Sequence, residues 1–265
     1  MLHRPVARTS SYMTRSPIVS DTTGYRANIG VIVPSSNTTV QPECDDLRPY
    51  GITNHIGRVT VKTGSIADPA AYRAHVELMR QGIGGAIDQL TTAPIDHLIM
   101  GVAIETFQGG YEGAARFREL LEAQAKVRVT FGSEALVAAL RKFGARRIAV
   151  LTPHQPEGDA IVQTYFEEAG FGVVRLLGLK CAKPTDIARV PRATLAASVQ
   201  QLNGDDADAI VQVGTALAMA PVATAAELML GKPVLAINPT SYWHALRMLG
   251  HEDRSDRAGR LMREF

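Results

Sequence analysis

Cysteine is nearly absent from this 265-residue chain, and the two present, Cys44 and Cys181, are too few and too far apart for a disulfide framework. They show no metal-ligand spacing either. Seven histidines give no H-x-x-x-H pattern and no Cys/His cluster, so no metal is expected. No Gly-x-Gly-x-x-Gly fingerprint follows a strand-like run, which argues against a nucleotide cofactor; none is expected. No apolar run approaches the roughly 18 residues of a membrane span. Charge of one sign is lacking too. The formal net charge is +2 with lysine and arginine scattered, so neither nucleic acid nor a membrane surface is an expected partner. The first 25 residues are poor in acids and rich in Ser, Thr and Arg, without an apolar segment for secretion. They read as a disordered extension, because nothing in them repays the entropy of ordering. A reducing, cytoplasmic setting is the expectation.

What is present is a regular alternation. Short apolar runs rich in Val and Ile recur at Asn28–Val33, His55–Val61, His97–Gly101, Val127–Thr130, Arg147–Leu151, Val173–Leu177, Ala209–Val213 and Pro233–Ile237. Longer stretches of helical periodicity separate them, the pattern of parallel strands buried by crossover helices. Pro69–Leu90 predicts a helix with Asp68 as N-cap, and Ser133–Lys142 one capped by Ser133 and closed by Gly144. The chain also repeats itself. Ala27–Pro34 opens one half and Arg146–Pro153 the other, and each half reaches a third strand ending in a small-residue loop, Met100–Ala103 and Val213–Ala216. The fold expected is α/β: two similar parallel-sheet βαβ halves related by a pseudo-two-fold, with a cleft between them. Residues 26–131 would form the first half and 132–237 the second, with 238–265 packing back on the first. Ligands of open parallel sheets sit beyond the carboxyl ends of the strands, where four loops would converge.

The first loop, Pro34–Thr39, presents Ser35, Ser36, Asn37 and Thr38 before a helix starting near Val40. Hydroxyls, an amide and free N–H groups at a helix N-terminus suit a carboxylate; an ordinary capped turn would use the same residues. With no glycine string and no lysine, it is not a phosphate loop. Glu105 stands in the apolar stretch Ala103–Phe107, where an acid or base of raised pKa, or a first-turn acid for the helix after Gly109–Gly110, are both open readings. His154 comes directly after Pro153 in a cleft loop and is able to move protons near neutral pH. Thr215 reads as a hydrogen-bond donor in preference to a nucleophile, which would need a base beside it. Tyr242, Trp243 and His244 open the last helix and read as core packing groups.

Gly30–Thr39 resembles the opening strand and loop of the maleate isomerase family in the aspartate/glutamate racemase superfamily. Gly231–Arg247 resembles the closing strand and helix of that family and of the arylmalonate decarboxylases, and the likeness runs from about residue 26 to the C-terminus. It is this resemblance that implies a place at the cleft floor for Tyr242 and Trp243, with His244 at its edge. The resemblance implies two cysteines facing each other across the cleft, or one in the decarboxylases. They would fall at Gly101 or Val102 and at Gly214 or Thr215, where this chain has none. It also implies a tyrosine after the second half's opening proline, where His154 stands. Resemblance and departures together imply an enzyme without the cysteine pair and without a cofactor, acting on a small carboxylate as an isomerase or decarboxylase. Ser35, Ser36, Asn37 and Thr38 would hold one carboxylate. N–H groups near Gly101, Val102 and Gly214, with Thr215, would stabilise an oxyanion or enolate, and Glu105 and His154 would share proton transfer. Two further readings stay open: a hydrolase of an amide, imide or lactone using Glu105- or His154-activated water, and a non-catalytic carboxylate-binding protein. The resemblance also implies a homo-oligomer.

Overall fold

A computed structural model describes residues 21–61 and 64–265, so most of the extension expected at 1–25 lies outside the described residues. In chain order the elements are β1 (Ala27–Pro34), α1 (Val40–Leu47), β2 (Ile52–Val59), α2 (Pro69–Leu90), β3 (His97–Met100), α3 (Gly110–Ala125), β4 (Arg128–Phe131) and α4 (Gly132–Lys142). They continue with β5 (Arg147–Thr152), α5 (Pro156–Glu168), β6 (Gly172–Gly178), α6 (Pro184–Ile187), α7 (Arg192–Leu202), β7 (Ala209–Gln212), α8 (Ala220–Leu230), β8 (Val234–Ala236), α9 (Ile237–Met248) and α10 (Gly259–Glu264). All pairings are parallel, and the strand order β2-β1-β3-β4 of the first sheet recurs as β6-β5-β7-β8 in the second. The protein is thus α/β with two similar halves.

The period of two along each central strand builds the layers. Ile29, Val31 and Val33 face a core shared between the sheets, while Ile32 faces outward to Met79, Ile83 and Ile87 of α2. Likewise Ile148 and Val150 point to the shared core, and Ala149 and Leu151 to Leu195 and Val199 of α7 and Ala223 of α8. The shared core also takes residues of α1, α4, α5 and α9. α9 leaves the second sheet directly after β8 and packs on α1, β3 and β4 of the first half and on α4, the helix that follows β4. Truncating one of these fully buried aliphatics to alanine costs about 2–5 kcal/mol.

Two local expectations met different ends. Asp68 caps α2 as expected, its Oδ1 accepting from the Ala71 N–H at 2.9 Å, with Pro69 at the first helical position. Ser133 does not cap α4. That helix starts one residue earlier, straight off β4, with Phe131 at the N-cap, and the Ser133 hydroxyl donates to the Thr106 carbonyl at 2.6 Å. The reason is close packing: a Cβ on Gly132 would lie 2.6 Å from Ile237 Cδ1, so glycine lets α4 begin against α9. β2 starts at Ile52, three residues before the apolar run at His55, because Ile52–Asn54 complete the ladder against Ala27–Ile29.

Candidate active site

The loops after β1, β3, β5 and β7 converge, as carboxyl-end geometry requires, on a cleft with a free volume of about 80 Å³. Its polar wall holds Ser36, Asn37, Glu105, His154 and Thr215, beside Val102 and Gly214. Its apolar wall holds Ile66, Met79, Pro184 and Ile187, contributed by the segment before α2, by α2 itself and by α6. No lysine or arginine lines it among the described residues.

Glu105 sits in a 3-10 turn, Ile104–Thr106, and is 4% exposed. Burial raises its carboxyl to about 7; its own backbone N–H and the charge of Arg80 only partly offset this. Arg80 is engaged elsewhere, donating to Gln108 Oε1 at 2.7 Å and stacking over Phe117. The acid does not cap the next helix: α3 begins at Gly110 with Gly109 at its N-cap. Glu105 is therefore poised to exchange a proton near neutrality.

His154 is buried, and desolvation lowers it to about 4, so its imidazole is neutral. It is not the charged anchor that a carboxylate-binding histidine would be. Its backbone N–H donates to Thr152 Oγ1 at 3.0 Å, and its Nδ1 lies 3.3 Å from the Tyr72 hydroxyl. Nε2 is buried without a partner among the described residues. In the tautomer in which the Tyr72 hydroxyl donates to Nδ1, Nε2 carries the ring proton and has no acceptor among the described residues. Gly158, in the first turn of α5, makes this arrangement possible. A Cβ there would lie 2.3 Å from the Tyr72 hydroxyl oxygen and 2.8 Å from His154 Cβ.

Thr215 is fixed as a bridge. Its hydroxyl donates to the Gly101 carbonyl at 3.0 Å and accepts from Asn37 Nδ2 at 3.3 Å, tying the two halves together. A hydroxyl so engaged, with no base against it, is a positioned dipole. Gln212 Nε2 braces the same loop at the Gly214 carbonyl, 2.8 Å away. Among the described residues the backbone N–H groups of Val102, Gly214 and Thr215 make no hydrogen bond, which leaves them available to an anion. Glycine is required at both flanking positions. A Cβ at Gly101 would stand 2.7 Å from the Ile32 carbonyl oxygen, and Gly214 has φ of +106° with Pro153 Cδ 2.4 Å from a Cβ.

The expected cradle of the first loop is narrower than its composition implied. Asn37 Oδ1 accepts from the N–H groups of Thr39 and Val40 at 2.8 and 3.0 Å, capping α1 itself. Ser35 Oγ accepts from the Val61 N–H, and Thr38 faces a different groove, leaving Ser36 and the Asn37 amide in the cleft. His244 lies outside it: its Nδ1 is 3.0 Å from Thr130 Oγ1, which also meets His97 Nε2 at 2.8 Å. Tyr242 is a packing group whose hydroxyl donates to Asn54 Oδ1 at 3.0 Å. Neither cysteine lines the cleft. Cys44 is buried in α1, where burial pushes its thiol up, and Cys181 lies buried beyond β6. The sequence-based reading missed Tyr72, His75 and Met79, which enter from one face of α2. Their spacing of three and four residues was the available signal.

Two parallel-sheet halves with a cleft between them make this an aspartate/glutamate racemase-like fold. A family model described as arylmalonate decarboxylase matches residues 29–262, and the chain belongs to that family. It is similar to maleate isomerase of Nocardia farcinica, 28% identical over 250 residues spanning 89% of this chain and 95% of the relative. It is also similar to that of Alcaligenes faecalis, 26% identical over 251 residues, 88% of this chain and 95% of the relative. Among solved structures, N. farcinica maleate cis-trans isomerase superposes with a TM-score of 0.82 at 24% identity, covering 90% of this chain and 98% of that one. Arylmalonate decarboxylase superposes at 0.70 and 21% identity, covering 89% and 98%. Another solved form of the Nocardia enzyme carries a covalently bound succinylcysteine intermediate. The family supports isomerase or decarboxylase chemistry.

Proposed function

We propose that this protein is a cofactor-independent decarboxylase of a small substituted malonate-type acid, working without a cysteine. The observation that carries this reading is Glu105, a buried acid titrating near neutrality in a cleft that no thiol lines. Cis-trans isomerisation by covalent addition needs a nucleophile at the cleft, and none of the lining side chains is an activated one. Decarboxylation needs only an electron sink and one proton donor. The carbon–carbon bond to the departing CO2 breaks, and its electron pair enters the remaining carboxylate as an enolate. The free N–H groups of Val102, Gly214 and Thr215 and the Asn37 amide hold that developing charge. The protonated Glu105 carboxyl then delivers its proton to the carbon and regains one from solvent. The departing carboxylate faces Ile66, Met79, Pro184 and Ile187, an apolar wall that favours neutral CO2 over the ion. The neutral His154 ring, held through its Nδ1 by the Tyr72 hydroxyl, lies beside it.

Proton NMR in D2O with alkyl- and arylmalonates, maleate, and the amides, imides and lactones of similar diacids tests this reading. The expected result is loss of CO2 with one deuterium entering the adjacent carbon, abolished in Glu105→Gln. Conversion of maleate to fumarate, ring opening without carbon exchange, or binding without turnover would each contradict it.

A further inference from the structure

Behind the cleft, on the far side of the Thr215 loop, lies a second and larger groove of about 710 Å³ between α1, α8 and the turn before α10. Its wall includes Glu43, whose carboxylate reaches inward. One oxygen accepts from Asn238 Nδ2 at 2.7 Å, and the other accepts from the Ala220 N–H at the start of α8 at 3.3 Å. The same Asn238 nitrogen donates to the Thr215 carbonyl at 2.9 Å, so one carboxamide, 4% exposed, joins Glu43 to the loop that lines the cleft. Thr39 Oγ1 adds a parallel tie, donating to the Ala216 carbonyl at 2.9 Å.

We infer that Glu43 is a positioning residue: through the Asn238 carboxamide its carboxylate fixes the Thr215 loop against Gly101 and couples the state of the outer groove to the oxyanion-binding side of the cleft. The inference rests on the reading that the Thr215 loop belongs to the active site. Charge-assisted hydrogen bonds are stronger than neutral ones, so ionised Glu43 holds Asn238 and the α8 N-terminus more firmly than the protonated acid does. Burial raises Glu43 to about 7, with the negative charge of Asp46 adding to the rise. The other charged groups around it are Arg192 of α7, Asp256, and Arg257, whose guanidinium donates to the Asp46 carbonyl at 2.8 Å. The brace is accordingly tightest above neutrality and slackens as Glu43 takes a proton.

Nitrogen-15 NMR of the Asn238 side chain and the Thr215 backbone amide, tracked from pH 5.5 to 9, reads this without any substrate. Both resonances should shift together with a midpoint near pH 7 in the natural protein and in Glu105→Gln, and the shift should vanish in Glu43→Gln. Flat traces in the natural protein, or traces that vanish in Glu105→Gln, would overturn the inference even if decarboxylation were established. Once turnover is in hand, Glu43→Gln should lower kcat about tenfold, leave KM within about twofold and remove the acid limb of the pH–rate profile. An unchanged acid limb would also overturn it. Should Glu43→Gln not fold, Glu43→Asp serves, and its shorter reach should shrink the Asn238 shift.

Discussion

The loops after β3 and β7 occupy equivalent places in the two halves, yet they are built oppositely. In the second half, Thr215 is held at both its hydroxyl and its carbonyl, by Gly101, Asn37 and Asn238, and Gly214 is braced by Gln212. In the first half, the backbone around Glu105 is pinned by Thr106, whose hydroxyl donates to Ala103 and whose carbonyl accepts from Ser133. The carboxyl itself is left buried, with only the more distant charge of Arg80 acting on it and no lysine or arginine lining the cleft among the described residues. Under the proposed function the two loops divide the labour: one would offer a rigid set of dipoles that stabilises charge without reorganisation, and the other a group that changes protonation.

Glu105→Gln breaks the contrast most severely. Turnover should fall about 10²–10⁴-fold, the usual worth of a positioned acid. Stability should move the other way. Because the folded state raises the acid from 4.5 to about 7, the native protein binds more protons than the unfolded chain between those values. The cost of holding Glu105 therefore grows as pH climbs from about 4.5 through about 7, and is complete above it. Urea titrations at pH 8 should find the variant more stable by roughly 1–3 kcal/mol, with no gain at pH 4.

Thr215→Val attacks the rigid side. It leaves the Gly101 carbonyl and the Asn37 amide without their bridge, at a cost of about 1–3 kcal/mol in denaturant unfolding, whereas Thr215→Ser should retain most of the stability. Gly158→Ala crowds the pair beside it, since the added Cβ presses on the Tyr72 hydroxyl and on His154 Cβ alike. It should cost about 1 kcal/mol in thermal unfolding and displace Tyr72 from His154, seen as a changed His154 ring resonance in NMR.

Much of this architecture was written in local sequence. All eight strands overlap apolar runs of the sequence, β2 beginning three residues before its run, and the repeat of Ala27–Pro34 at Arg146–Pro153 corresponds to β1 and β5, equivalent inner strands of the two sheets. Glu105, His154, Asn37 and Thr215 were legible because strand-end loops meet at one place. What escaped depends on approach between distant elements. Tyr72 and Met79 reach the cleft only because α2 leans its first turns over it, and Asn238 joins Glu43 to Thr215 across three elements. Ser35 and His244 show the reverse error: polar side chains beside a site had local partners, Val61 and Thr130, that composition does not reveal.

Carbon-13 NMR titration of the Glu105 side-chain carboxyl tests the central claim most directly, since it needs neither substrate nor assay. The expected result is a single midpoint near pH 7, unchanged in Glu43→Gln and moved when a malonate-type acid binds. A midpoint near the ordinary 4.5, insensitive to ligand, would contradict it, for Glu105 would then be ionised at neutral pH with no proton to give.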